Sequence, residues 1–114
     1  HTLATLSALV GAVRAGMYAV AVGEGNVVVA LAGGMSLEIA AKNAGTFSVF
    51  SAPDASCGLT ECGPLYEVEN ATLRNDVTLG LSNEFVGKPV SISLEQGAVV
   101  VVLPRMPLSD IRIG

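Results

Sequence analysis

The stretch Gly16 to Ala32, GMYAVAVGEGNVVVALA, constrains this chain more than any other. It reads as two strands around the turn Gly23-Glu24-Gly25-Asn26, and both strands are apolar on both faces. On the first, Tyr18, Val20 and Val22 point one way, and Ala19 and Ala21 point the other. On the second, Val27, Val29 and Leu31 share one face, while Val28, Ala30 and Ala32 share the opposite one. A hairpin with one wet face alternates apolar and polar residues instead. Glycine and asparagine in the turn supply the positive φ angles that a tight reversal needs. Both faces of this hairpin therefore require cover, either from the same chain or from another subunit.

The rest of the chain reads as more strand. Met35, Leu37 and Ile39 alternate with Ser36 and Glu38. Thr46 to Ser51 forms a short strand. Pro53 to Pro64 reads as a loop, and Leu65 to Leu73 as a strand with Tyr66 and Val68 opposite Glu67 and Glu69. Val77, Leu79 and Leu81 make another, and Asn83 to Pro89 a loop. Val90, Ile92 and Leu94 alternate cleanly with Ser91, Ser93 and Glu95, and Ala98 to Leu103 is again apolar on both faces. A last short strand lies within Leu108 to Ile113. About eight short strands at roughly ten-residue spacing predict an all-β fold, an antiparallel β-sandwich or jelly roll. The absence of a long helical pattern after residue 15 argues against a βαβ sheet.

Residues 2–13, TLATLSALVGAV, admit two readings. Leu3, Leu6, Leu9, Val10 and Val13 fit a short helix packed on the sheet, and they equally fit an extended apolar arm inserted into a neighbour. The domain expectation is an N-terminal arm over residues 1–15, acting as an assembly segment, and one β-sandwich over 16–114.

Composition narrows the function classes. A chain of 114 residues supplies one core. Ten acids and six bases leave a net charge of −4, with no basic cluster, which argues against nucleic acid as a partner. Charged residues make up 14% of the chain, and only five of the sixteen lie in residues 1–60. The first half is thus the apolar half, and left bare it would form a large adhesive patch. No apolar run reaches the length of a membrane-spanning helix. The chain begins at His1 rather than Met, which is read as removal of a signal peptide or as a fragment.

Few residues can carry chemistry. Cys57 and Cys62 enclose Gly-Leu-Thr-Glu; a disulfide is the favoured reading for a secreted chain, with free thiols as the alternative. Asn70-Ala71-Thr72 is an N-glycosylation sequon, so Asn70 is either an ordinary surface residue or a glycan site. His1 is the sole histidine, which leaves neither a metal set nor a serine–histidine pair. Glu67 and Glu69 share a strand face, where solvated carboxylates are the ordinary reading and a functional pair the rarer one. No dinucleotide loop, P-loop or nucleophile elbow is present. Catalytic, cofactor-binding and metal sites are accordingly expected to be absent, and the chain to be non-enzymatic.

The apolar surplus then leads to an expectation of self-association. Two doubly apolar strand segments and an apolar arm exceed what a two-layer sandwich normally hides. The expected function is a structural subunit, a homo-oligomer or homopolymer at the cell surface or outside the cell. It would assemble a filament, pilus or surface layer by strand complementation. The layout is similar to donor-strand filament subunits of bacterial and archaeal surfaces in plan, without a shared motif. The alternative is a secreted or cell-surface binding module, such as an adhesin, a carbohydrate-binding domain or an effector-like domain.

Overall fold

The computed structural model describes residues 3–52, 55–74 and 81–114. The expected strand through Val77 and Leu79 lies outside the described residues, as does His1. The described chain forms one helix, α1 (Leu3–Arg14), and ten strands. These are β1 (Ala19–Val22), β2 (Asn26–Ala32), β3 (Ser36–Ile39), β4 (Thr46–Ser51), β5 (Ala55–Cys62), β6 (Val68–Arg74), β7 (Leu81–Glu84), β8 (Val90–Ser93), β9 (Ala98–Pro104) and β10 (Ile111–Ile113). They pair antiparallel in two five-stranded sheets. One has the order β1-β2-β9-β4-β7, the other β10-β3-β8-β5-β6. The all-β, sandwich-like architecture expected from the alternation is thus present.

The main core lies between the sheets. Val27, Val29 and Leu31 of β2 and Val99, Val101 and Leu103 of β9 meet Leu37, Ile39, Leu59, Val90 and Ile92 of the other sheet. The opposite faces of the same two strands are also dry. Val28, Ala30 and Val100 pack under Leu9 and Val13 of α1, with Leu6 and Val10 at the margin. β2 and β9 are direct neighbours, paired from Asn26↔Pro104 to Ala32↔Ala98. Two doubly apolar strands therefore sit side by side, with a sheet on one side and a helix on the other.

This corrects the expectation that sister molecules shield the surplus. Residues 3–14 are no free arm. Leu6, Leu9, Val10 and Val13 project from the helix onto their own sheet, and Leu3 opens that helix. A third layer made by the same chain removes the shortage of cover, at about 25 cal/mol for each Å² of apolar surface withdrawn from water. The helix ends in a Schellman motif: Met17 N–H donates to Ala12 C=O at 3.0 Å and Gly16 N–H to Val13 C=O at 3.0 Å. Gly16, at φ 86°, supplies the left-handed residue that this cap needs. Arg14 in the last turn complements the helix dipole.

Candidate functional site

One end of the sandwich gathers the loops at 23–25, 40–45, 63–67, 85–89 and 105–110. β7 and β9 run into this end, as their register with β4 and β2 shows. Its most unusual feature is a carboxylate in the core. Glu61 of β5 is 0% exposed and pairs in register with Ile92 of β8, so its side chain enters the space between the sheets. From the other sheet comes Asn83 of β7, also buried. Asn83 Nδ2 donates to Glu61 Oε1 at 3.0 Å and to the carbonyl of Tyr66 at 2.6 Å. Asn83 Oδ1 accepts the N–H of Tyr66 at 2.9 Å and that of Glu84 at 3.0 Å. The amide thus satisfies both backbone groups of Tyr66, as a neighbouring strand would.

Glu61 Oε2 is left without a hydrogen-bond partner among the described residues. Burial pushes the Glu61 carboxyl up to about 7, against the weaker downward pull of the Asn83 hydrogen bond. Groups perturbed in this way concentrate at functional sites.

The same strand feeds a groove on the outer face. Cys62 and Gly63, the next two residues, line a depression of about 520 Å³ together with Glu38, Ser91, Asp110 and Arg112. The register places Cys62, Ser91, Glu38 and Arg112 in one row across β5, β8, β3 and β10. Asp110 is ion-paired with Lys42, and the exposed Glu38 faces Arg112 at 3.8 Å. The groove therefore offers hydroxyl, thiol and carboxylate acceptors in a nearly balanced field. Gly63 closes the corner. Its φ is 98°, and a side chain there would strike the carbonyl of Pro89. Above it the loop exposes Leu65 and Tyr66, whose position Asn83 fixes. Among the described residues, no three of His, Cys, Asp and Glu come together as metal ligands would.

The residues singled out from the sequence lie elsewhere or play other parts. Cys57 and Cys62 are both exposed free thiols. The expected disulfide is not formed, because both cysteines belong to the extended strand β5. Five residues at about 3.3 Å each separate them by roughly 16 Å, whereas a disulfide tolerates roughly 7 Å between Cα atoms. Asn70 is exposed on β6 at φ 48°, in a register shift opposite Leu59–Glu61, and its N–H donates to Thr60 Oγ1 at 3.2 Å. Asparagine tolerates this left-handed bulge position better than most residues. Glu67 and Glu69 are exposed, and Glu67 Oε2 accepts the N–H of Gly63 at 3.0 Å. Glu61 and Asn83 went unnoticed because each occupies a segment read as loop. No pattern in the single sequence marks them.

No protein-family model matches the chain, and no curated protein matches its sequence. Solved structures do match its fold. Thiamine pyrophosphokinase from Bacillus subtilis superposes with a TM-score of 0.78 at 18% identity, over 92% of this chain and 49% of that one. Thiamin pyrophosphokinase from Geobacillus thermodenitrificans gives 0.66 at 18% identity, over 76% of this chain and 40% of that one. A protein from Lactobacillus plantarum gives 0.63 at 19% identity, over 91% and 51% respectively. The chain spans about half the length of these neighbours. Their fold overturns the expectation of a non-enzymatic filament, pilus or surface-layer subunit, and with it the cell-surface binding module. The extracellular placement and the glycoprotein reading fall with that subunit, because nothing in the fold of these neighbours supports them. What the chain is similar to is a β-rich portion of pyrophosphokinase structures.

Proposed function

We propose that this chain is the β-sandwich part of a thiamin-pyrophosphokinase-type enzyme, and that its share of the work is to hold the thiamin-like substrate. The observation that carries this reading is the superposition on the Bacillus subtilis enzyme over 92% of the chain. In this reading the order β2-β9-β4-β7 packed against β3-β8-β5-β6 is taken as that of an eight-stranded jelly roll, with β1, β10 and α1 as additions.

The site is the loop end. Its groove of about 520 Å³ suits a small heterocyclic molecule. Thiamin carries an aminopyrimidine and a cationic ring. The hydroxyl of Ser91 and the carboxylates of Glu38 and Asp110 supply acceptors for such groups. Glu61 acts through Asn83 as a positioning residue, holding the 63–67 loop at the groove's rim. Transfer of the pyrophosphoryl group needs cationic or metal stabilisation of phosphate oxygens, and this reading assigns that role to the part of the enzyme that the chain does not span.

The test is titration of the isotopically labelled chain with thiamin while its backbone amides are observed. Shifts confined to residues 38–40, 62–67, 83–91 and 109–112 are expected. Amides that stay fixed at millimolar thiamin would overturn the assignment.

A further inference from the structure

We infer that the groove between α1 and the outer face of the first sheet binds a free monocarboxylate with a long apolar tail, the chemistry of a medium-chain fatty acid. This groove and the loop-end groove lie on different sheets, and the inference does not rest on the thiamin reading. α1 packs on β1, β2 and β9, and β4 comes next beyond β9 in the sheet. The helix therefore forms a step beside β4, and a cavity of about 620 Å³ opens there. Small-molecule cavities span roughly 300–1,000 Å³.

The groove is apolar along its length. Val100 of β9 packs toward α1, and Phe50 of β4 stands opposite Val100 in register, so both share the outer face. Val102 extends this floor, and Leu6 and Val10 form the helical wall. Phe50, Val102, Leu6 and Val10 are only half-buried, so a tail laid on them withdraws further apolar surface from water. From Leu6 to Arg14 the helix rises about 12 Å, which suits a tail of about ten carbons.

Two residues identify the occupant. Gly11 lines the groove from the helix interior, where glycine is less stable than alanine. A Cβ at Gly11 would meet nothing within 4 Å, and its φ is not positive. Neither close packing nor backbone conformation requires this glycine; its effect is to keep the groove open at mid-length. Arg14 stands exposed at one end, the sole charged side chain on the groove among the described residues, and has no ion pair there. The helix end does not engage it as a donor either. The carbonyls of Gly11, Ala12 and Val13 already accept the N–H groups of Ala15, Met17 and Gly16. A guanidinium beside an apolar groove matches a carboxylate head on an apolar tail. One cation balances one negative charge, and a net charge of −4 on the chain disfavours a multiply charged head such as a phosphate monoester.

Decanoate is the probe, titrated into the isotopically labelled chain by calorimetry and by amide and methyl resonances. Saturation at one equivalent with a Kd below about 1 mM is expected, with shifts at residues 6–14, 50–52 and 100–102. Decanol, the same tail without the charge, should bind about fivefold more weakly. Arg14→Gln should lose the same factor for decanoate and none for decanol. Gly11→Leu should fill the groove and weaken both ligands by at least about tenfold, while its unfolding midpoint stays at or above that of the parent, since leucine is the better helix former. Should Gly11→Leu misfold, the two ligands on Arg14→Gln decide alone. Absence of saturable binding, decanol binding as tightly as decanoate, or a folded Gly11→Leu chain that binds as before would overturn the inference. So would shifts centred instead on the exposed Leu65, Tyr66 and Val86. The same groove shifts on raising the protein concentration without ligand would assign the groove to a second copy and equally overturn it.

Discussion

Asn83 Nδ2 donates to Glu61 Oε1 at 3.0 Å across the interior of the sandwich, tying an edge strand of one sheet to β5 of the other. The same amide holds both backbone groups of Tyr66, so one side chain couples a core carboxylate to a surface loop. Loss of the amide strands several buried groups at once. Asn83→Ala should cost about 3 kcal/mol or more of unfolding free energy, since each orphaned buried polar group costs roughly 1–3 kcal/mol. Urea unfolding measures the loss. Hydrogen exchange should show faster exchange at residues 63–67, with the amides of β2 and β9 responding only through global stability.

Glu61 also sets a pH dependence. Its carboxyl titrates at about 7 when folded, against an ordinary value of 4.5. Between these values the unfolded chain has released the proton and the folded chain retains it. The folded state therefore binds more protons, and stability falls as pH rises through this window. Below 4.5 the contribution is fully present; above 7 it is gone. The full span corresponds to about 3 kcal/mol. Glu61→Gln keeps an acceptor for Asn83 and removes the titration. Its stability should stay flat across the window and exceed that of the parent at pH 8. An equal pH slope in both proteins would place the titrating group elsewhere.

The cysteines give a third expectation. Both thiols are exposed and separated along β5. The native chain should release two equivalents with a thiol reagent, and reductant should leave its unfolding midpoint unchanged. Cys57→Ser and Cys62→Ser should each stay within about 0.5 kcal/mol of the parent, as surface substitutions do.

Much of the architecture was legible where burial follows the simple rules. β8 and β9 fall where alternation or continuous apolar character placed them, and so does the hairpin β1–β2. β5 was missed because its inward positions are Ser56, Gly58, Leu59 and Glu61, of which only one is apolar. A register shift between Ser56 and Leu59 further spoils the period of two. β7 is four residues long and turns Asn83 inward. Both elements of the candidate site are thus strands whose inward side chains break the binary pattern. A polar residue in a core is stable only through its partner, and a partner 22 residues away leaves no local trace. The mistaken surplus has a different origin. Periodicity alone left residues 2–13 open between helix and arm, and the helix turned out to be the missing cover.

That cover can be removed deliberately. Val13 is 1% exposed beneath the sheet, and Leu9 lies beside it against Val28, Ala30 and Val100. Leu9→Ala should cost about 2–4 kcal/mol, as large-to-small core changes do. Deleting residues 3–14 has a harsher consequence, because the outer faces of β2 and β9 then meet water together. Bare apolar sheet of this extent drives aggregation. The truncated chain should precipitate or bind a hydrophobic dye at temperatures where the parent remains in solution. If residues 3–14 served instead as an assembly arm, the truncated chain would be the better-behaved one, with a lower mass in light scattering and an undiminished unfolding midpoint. The packing of Val13 against its own sheet requires the opposite outcome.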